Sequence, residues 1–167
     1  MRGTRTFSWS FISLALVALV FSACSKKEQI KPEENSAPVA ANADENQMGD
    51  SDSGKAFGLQ TVHFGYDSFG LGEETKRQLK ANAQILKDKP GLKVQIEGHC
   101  DERGGIQYNI ALGEKRANAA RKYLADAGIQ SDRLTIISFG KERPLDSAQN
   151  ETAFAKNRRA NFAVTSK

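Results

Sequence analysis

Residues 94–116 read V-Q-I-E-G-H-C-D-E-R-G-G-I-Q-Y-N-I-A-L-G-E-K-R, and the fold is decided there. Val94 and Ile96 alternate with Lys93, Gln95 and Glu97, the period of a half-buried strand. The pattern breaks at Gly98, runs through the polar residues His99 to Arg103, and turns at Gly104–Gly105. Beyond it Tyr108, Leu112, Ala119, Tyr123 and Leu124 recur at helical spacing. Asn109, Leu112 and Arg116 are three, four or seven residues apart and share one face of that helix. A strand end, a polar loop and a helix start together can hold a small charged ligand.

Outward from this stretch the chain alternates strands and helices. Val62, Phe64 and Tyr66 alternate with Thr61, His63 and Gly65 in a first strand, followed by a turn over Asp67–Gly72. Glu73 and Glu74 suit the start of a helix dipole, Leu79, Ala83 and Leu86 form its buried stripe, and Pro90–Gly91 stops it. The second helix, Tyr108–Ala127, ends at Gly128. Leu134–Phe139 is a third strand, Thr152–Asn157 a short helix and Ala160–Thr165 a last strand. This β-α-β-α-β-α-β order predicts an α/β domain, with helices packed on a sheet and crossovers making some neighbours parallel.

The first 56 residues differ in kind. Arg2 and Arg5 precede an apolar run from Phe11 to Phe21, too short for an ordinary membrane span. Ser22 and Ala23 then lead to Cys24, and F-S-A-C resembles the lipobox of bacterial lipoproteins, in which the cysteine is lipidated after cleavage. An ordinary secretory peptide cut near Ala23 is the alternative. From Ser25 to Ala56 only Ile30, Val39 and Met48 are larger aliphatics, too little apolar surface to offset chain entropy. Some 30 such residues make a tether with a reach of ~30 Å. The expected organisation is a signal peptide over 1–23, a lipidated cysteine and disordered linker over 24–57, and a globular domain over 58–167.

Charge narrows the partners. The net +4 falls to +2, 22 basic against 20 acidic residues, once Arg2 and Arg5 are set aside. With no long basic run, nothing marks a nucleic-acid surface.

Asp101 and Arg116 bracket the loop and the first two turns of the helix. A carboxylate and a guanidinium on one pocket rim suit a zwitterion, ammonium on the first and carboxylate on the planar fork of the second. A structural Asp–Arg salt bridge explains the same spacing. His99 and Cys100 raise a metal or thiol-enzyme reading. His63 is the only other histidine, Cys24 the only other cysteine, and no zinc-type spacing supplies three or four ligands. A small thiol at a strand end is more often packing than catalysis. Asn157, Arg158 and Arg159 read as a solvated or salt-bridged edge with the option of an anion contact.

The runs I-E-G-H-C-D-E-R-G and Y-N-I-A-L-G-E-K-R-A-N-A resemble the signature of the OmpA-like peptidoglycan-binding domain. V-H-F-G-Y-D, S-F-G-K-E-R-P and A-K-N-R-R-A extend the resemblance from Leu59 to the C-terminus. It implies non-covalent binding of the peptidoglycan stem peptide through meso-diaminopimelate, without cofactor, metal or catalysis. By matching position, Asp101 takes the ammonium and Arg116 the carboxylate. Asn109 and Leu112 line the site, and the Ser68–Phe69–Gly70 turn offers backbone donors. With the lipobox, the resemblance implies a clamp between outer membrane and cell wall, working with Tol-system proteins. Two positions depart from the family pattern: S-F-G-L stands where a further aspartate is common, and Gly105 where threonine or serine caps the helix. Glycine in that role costs a few tenths of a kcal/mol.

Overall fold

The structure, a computed structural model, describes residues 49–167. The elements run β1 (Val62–His63), α1 (Glu73–Asp88), β2 (Lys93–His99), α2 (Ile106–Asp126), a 3-10 turn (Ser131–Arg133), β3 (Leu134–Gly140), α3 (Glu151–Asn157) and β4 (Arg159–Ser166). They form one mixed sheet in the order β1-β4-β2-β3. β2 and β3 are parallel, as the intervening helix requires, whereas β4 inserts antiparallel between β1 and β2.

Alternation along the central strands decides which face is dry. Val94 and Ile96 of β2 and Ala160, Phe162 and Val164 of β4 point into the core with Leu79, Ala83 and Leu86 of α1 and Ala117, Ala120 and Leu124 of α2. The opposite face carries Glu97, His99, Arg159 and Asn161, polar yet buried. The α2 helix lies unusually close to β2. A Cβ on Gly98 would meet the carbonyl oxygen of Gly113 at 1.9 Å, and one on Gly113 would meet Ser138 Oγ at 2.3 Å. Two glycines therefore let backbone touch backbone, and they set the depth at which α2 sits.

The first strand is shorter than its alternation predicts. Only Val62 and His63 join the ladder, with one further bond from Phe64 N to the Arg158 carbonyl at 2.9 Å. The reason lies in the arginines: Arg158 Nε donates to Phe64 O and Arg116 Nη2 to Gly65 O. Those carbonyls are satisfied by side chains, and the chain turns away at Asp67, in the left-handed region at φ 48°.

The region expected to be linker holds a second difference. Residues 49–57 are bound to the domain: Val164 N donates to Gly49 O at 3.0 Å, Ser51 N to Phe162 O at 3.1 Å, and Asp50 bridges Ala163. They cover the length of β4 that β1 is too short to reach. Asp52 pairs with Arg159 at 2.8 Å and accepts from Thr61 Oγ1 at 2.7 Å, while Ser51 Oγ donates to Asn161. Ala56 is fully buried in the core. Polarity here is the means of attachment rather than of solvation. The predicted signal peptide, Cys24 and most of the tether lie outside the described residues.

Arg133 closes the far end of the domain, donating to the carbonyls of Leu86, Lys89 and Leu92 at 2.8–2.9 Å. It thereby caps the orphan carbonyls at the end of α1.

Candidate functional site

β2 ends at His99, where the chain leaves the sheet and crosses to α2 through residues 100–105. This crossing, the loop after β1 and Arg158 at the entry to β4 enclose a cavity of about 190 Å³. Asp101, Asn109, Leu112 and Arg116 all line it, and so do Tyr66, Asp67, Cys100, Arg103, Gly104, Tyr108 and Arg158. Four of the residues picked from sequence thus share one cavity.

Asp101 and Arg116 face that cavity through separate partnerships. The Asp101 side chain is 6% exposed; its Oδ2 accepts from Arg103 Nη2 at 2.6 Å and from Arg158 Nη1 at 3.1 Å, and its Oδ1 from the Arg103 backbone N–H at 3.2 Å. Burial by itself would raise its pKa, but the hydrogen bonds from Arg103 and Arg158 outweigh it and hold the carboxyl below the ordinary aspartate range. Arg116 is fully buried. Its Nε donates to Ser68 O at 2.9 Å, Nη1 to His99 O at 2.8 Å and Nη2 to Gly65 O at 3.1 Å. One N–H remains on each terminal nitrogen. Burial pushes the guanidinium down from its usual pKa, but it stays cationic at neutral pH. Arg116 therefore braces the loop after β1 and presents a positive charge to the cavity floor.

Asn109 organises the crossing, since its Nδ2 donates to Arg103 O at 2.8 Å and to Gly105 O at 3.2 Å. Gly105 is the N-cap of α2 and supplies no side-chain cap. Leu112 forms an apolar wall and is 8% exposed. The Ser68–Phe69–Gly70 turn stands outside the lining. Ser68 reaches the site through its carbonyl on Arg116, Gly70 N donates to Ser68 Oγ at 3.0 Å, and Phe69 is half exposed beside Lys115.

His99 and Cys100 flank the cavity differently. The His99 ring faces the opposite side of the sheet, stacked on Phe139 with centroids 5.5 Å apart. Both its nitrogens are buried and lack hydrogen-bond partners among the described residues. Glu97 Oε2 is 3.7 Å away, beyond hydrogen-bond reach. Burial holds the imidazole below its ordinary pKa, hence neutral. Cys100 donates its thiol to Asn109 O at 3.3 Å, and burial pushes that thiol upward, away from the reactive thiolate. No group of three or more His, Cys, Asp or Glu residues placed to hold a metal occurs among the described residues.

The arginines near the C-terminus are the largest addition to the predicted site. Arg158 and Arg159 are buried rather than solvated, at 6% and 3% exposure, and each is salt-bridged. Periodicity had no means of showing that Arg158, 57 positions from Asp101, closes the same cavity.

A family model described as the OmpA family matches residues 63–158. The peptidoglycan-associated lipoprotein of Pasteurella multocida is 43% identical over 103 residues, covering 62% of this chain and 69% of that protein. That of Pseudomonas aeruginosa is 38% identical over 156 residues, covering 89% and 92%. Among solved structures, the crystal structure of the peptidoglycan-associated lipoprotein from Burkholderia pseudomallei superposes with a TM-score of 0.63 at 35% identity, over 68% of this chain and 97% of that one. The fold, the matched segment and these relatives agree: the chain belongs to the OmpA family.

Proposed function

We propose that this domain binds peptidoglycan non-covalently by gripping the free end of meso-diaminopimelate in the stem peptide. Supporting it is one observation above all: a buried carboxylate and a buried guanidinium, Asp101 and Arg116, line one cavity at the start of α2. Asp101 takes the ammonium and the remaining N–H groups of Arg116 take the carboxylate, with Asn109 holding the loop and Leu112 against the ligand's methylenes. At about 190 Å³ the cavity falls short of the ~300 Å³ of a drug-sized site. It suits the end of one amino acid, leaving the rest of the stem outside. The Ser68–Gly70 turn serves indirectly, through its carbonyl on Arg116. The relatives' names, peptidoglycan-associated lipoprotein, support peptidoglycan as the polymer bound.

Around this activity we place the chain as an outer-membrane lipoprotein, anchored through Cys24, that ties the membrane to the wall and works with Tol-system proteins. It is a clamp and not an enzyme. Retention of the protein on purified sacculi, followed by muropeptide analysis, tests the reading. Retention with unchanged muropeptides is expected, and Asp101→Asn should weaken it about tenfold, the worth of one charge-assisted hydrogen bond. Altered muropeptides would favour an enzyme built on Cys100 or His99. No retention would leave a lipoprotein scaffold that binds only proteins. For the anchor, Cys24→Ser should abolish labelling by a fatty-acid analogue.

A further inference from the structure

Asp101 is the carboxylate a ligand ammonium would need, and it is occupied. Two guanidiniums rest on the same oxygen, Arg103 Nη2 at 2.6 Å and Arg158 Nη1 at 3.1 Å. Three arginines, 103, 116 and 158, face the cavity against the two carboxylates of Asp101 and Asp67, and Asp67 accepts from the Tyr108 hydroxyl. A ligand ammonium added to this set would meet an excess of positive charge.

The two arginines on Asp101 are not equivalent. Arg158 is built in: its side chain is 8% exposed and also donates to Phe64 O and Glu151. Arg103 is 35% exposed and sits on the connecting loop two residues from Asp101. Its guanidinium lies between the Tyr66 ring, 4.1 Å away, and the Phe154 ring, 4.6 Å away. Glu151 Oε2 is already within 3.5 Å of its Nη1. Arg103 also lines a second cavity of about 430 Å³, whose wall includes Glu142 and Asp146. Phe154 and Glu151 are thus contacts the guanidinium already makes and can keep when it gives up Asp101.

We propose that Arg103 is the specificity-determining residue of this site: an internal cation resting on Asp101 that only a ligand carrying a free ammonium displaces. The inference rests on the diaminopimelate reading above. It assigns Arg103 to selection rather than to grip. A neutral ligand end cannot replace the charge that Asp101 loses when Arg103 leaves, so it is refused. An ammonium can, and the departing guanidinium keeps Glu151.

The test titrates the full-length protein with the tripeptide L-Ala-D-Glu-meso-diaminopimelate, its terminal amine free or acetylated, by calorimetry. Arg103→Gln removes the competitor and should bind the free-amine peptide about two- to fivefold tighter, the range of a partly exposed ion pair. The acetylated peptide should gain less, shrinking the discrimination between amines. Arg103→Lys should fall between wild type and Gln, because an ammonium competes for Asp101 without the two-pronged hold. In wild type, the Arg103 side-chain Nε–H resonance should shift when peptide is added, a readout that needs no variant to fold. A bound wild type with an unmoved Arg103 resonance, or an Arg103→Gln protein that binds no tighter, overturns the gate and leaves the diaminopimelate reading standing. If neither protein binds either peptide, both readings fall.

Discussion

Arg116 Nη1 donates a 2.8 Å hydrogen bond to the carbonyl oxygen of His99, tying the middle of α2 to the last residue of β2. The same guanidinium holds the loop after β1 through Gly65 and Ser68. The positive charge lining the cavity is thus also the knot that joins three segments, and the proposed site and the fold share one side chain.

Arg116→Ala should accordingly cost stability as well as binding. It deprives buried carbonyls of a charged donor, each such bond contributing about 1.5–3 kcal/mol, so a loss of about 3 kcal/mol or more is expected. Arg116→Lys keeps the charge but cannot reach three carbonyls in different directions, and should recover only part. Thermal unfolding followed by circular dichroism measures both. A melting temperature equal to wild type in Arg116→Ala would remove the knot. By sequence reasoning alone this residue would have been expected to affect the ligand and hardly the fold.

Gly98→Ala tests the depth of α2. The new methyl group has no room against the Gly113 carbonyl, so helix and strand must separate. Overpacking of this kind costs about 1–3 kcal/mol and here should reach the upper end, since the obstacle is backbone. The helix carries Asn109, Leu112 and Arg116, so stem-peptide affinity should fall with stability. Equal melting temperatures for Gly98→Ala and wild type would contradict the packing.

His99 predicts the direction of a pH effect. Its folded pKa lies below the unfolded value of about 6.5, so below that pH the unfolded chain binds more protons than the folded one. Its share of stability is complete above about pH 6.5 and is lost as pH falls. Glu97, Asp52 and Arg159 are the charged groups around it. Chemical denaturation at pH 7.5 and 5.5 should show a lower midpoint at 5.5, and His99→Gln should flatten the difference. His63 is exposed, so solvent screens most of its contribution. A slope that persists in His99→Gln would place the titrating group elsewhere.

Asp52→Ala distinguishes an attached arm from a solvated linker. It leaves the buried Arg159 side chain without its carboxylate partner. Breaking a buried pair from one side costs about 3 kcal/mol. Hydrogen exchange of the Ser51 and Val164 amides, which bond across the arm and β4, should quicken in the variant. Unchanged exchange and stability would return residues 49–57 to the tether.

Most of the domain's architecture could be read directly from the chain, because it depends on local periodicity. Alternation at Val94–Ile96 and Leu134–Ile136, a helical stripe at Leu79–Leu86 and the Pro90–Gly91 stop are properties of neighbours in sequence, and the structure has each element within a few residues of the place they indicate. Asp101, Asn109, Leu112 and Arg116 stood out for the same reason: they lie on one loop and one helix face. What the sequence could not determine depends on residues distant along the chain. That β4 inserts between β1 and β2, that 49–57 binds its exposed edge, and that Arg158 reaches Asp101 are all decided by which backbone and charged groups remain unsatisfied once the core has closed. Polar residues in a polar stretch look alike whether solvent or a buried partner satisfies them. Only the tertiary structure shows that Asp52 meets Arg159, and that Arg116, lining the cavity, gives its hydrogen bonds to three carbonyls of the fold.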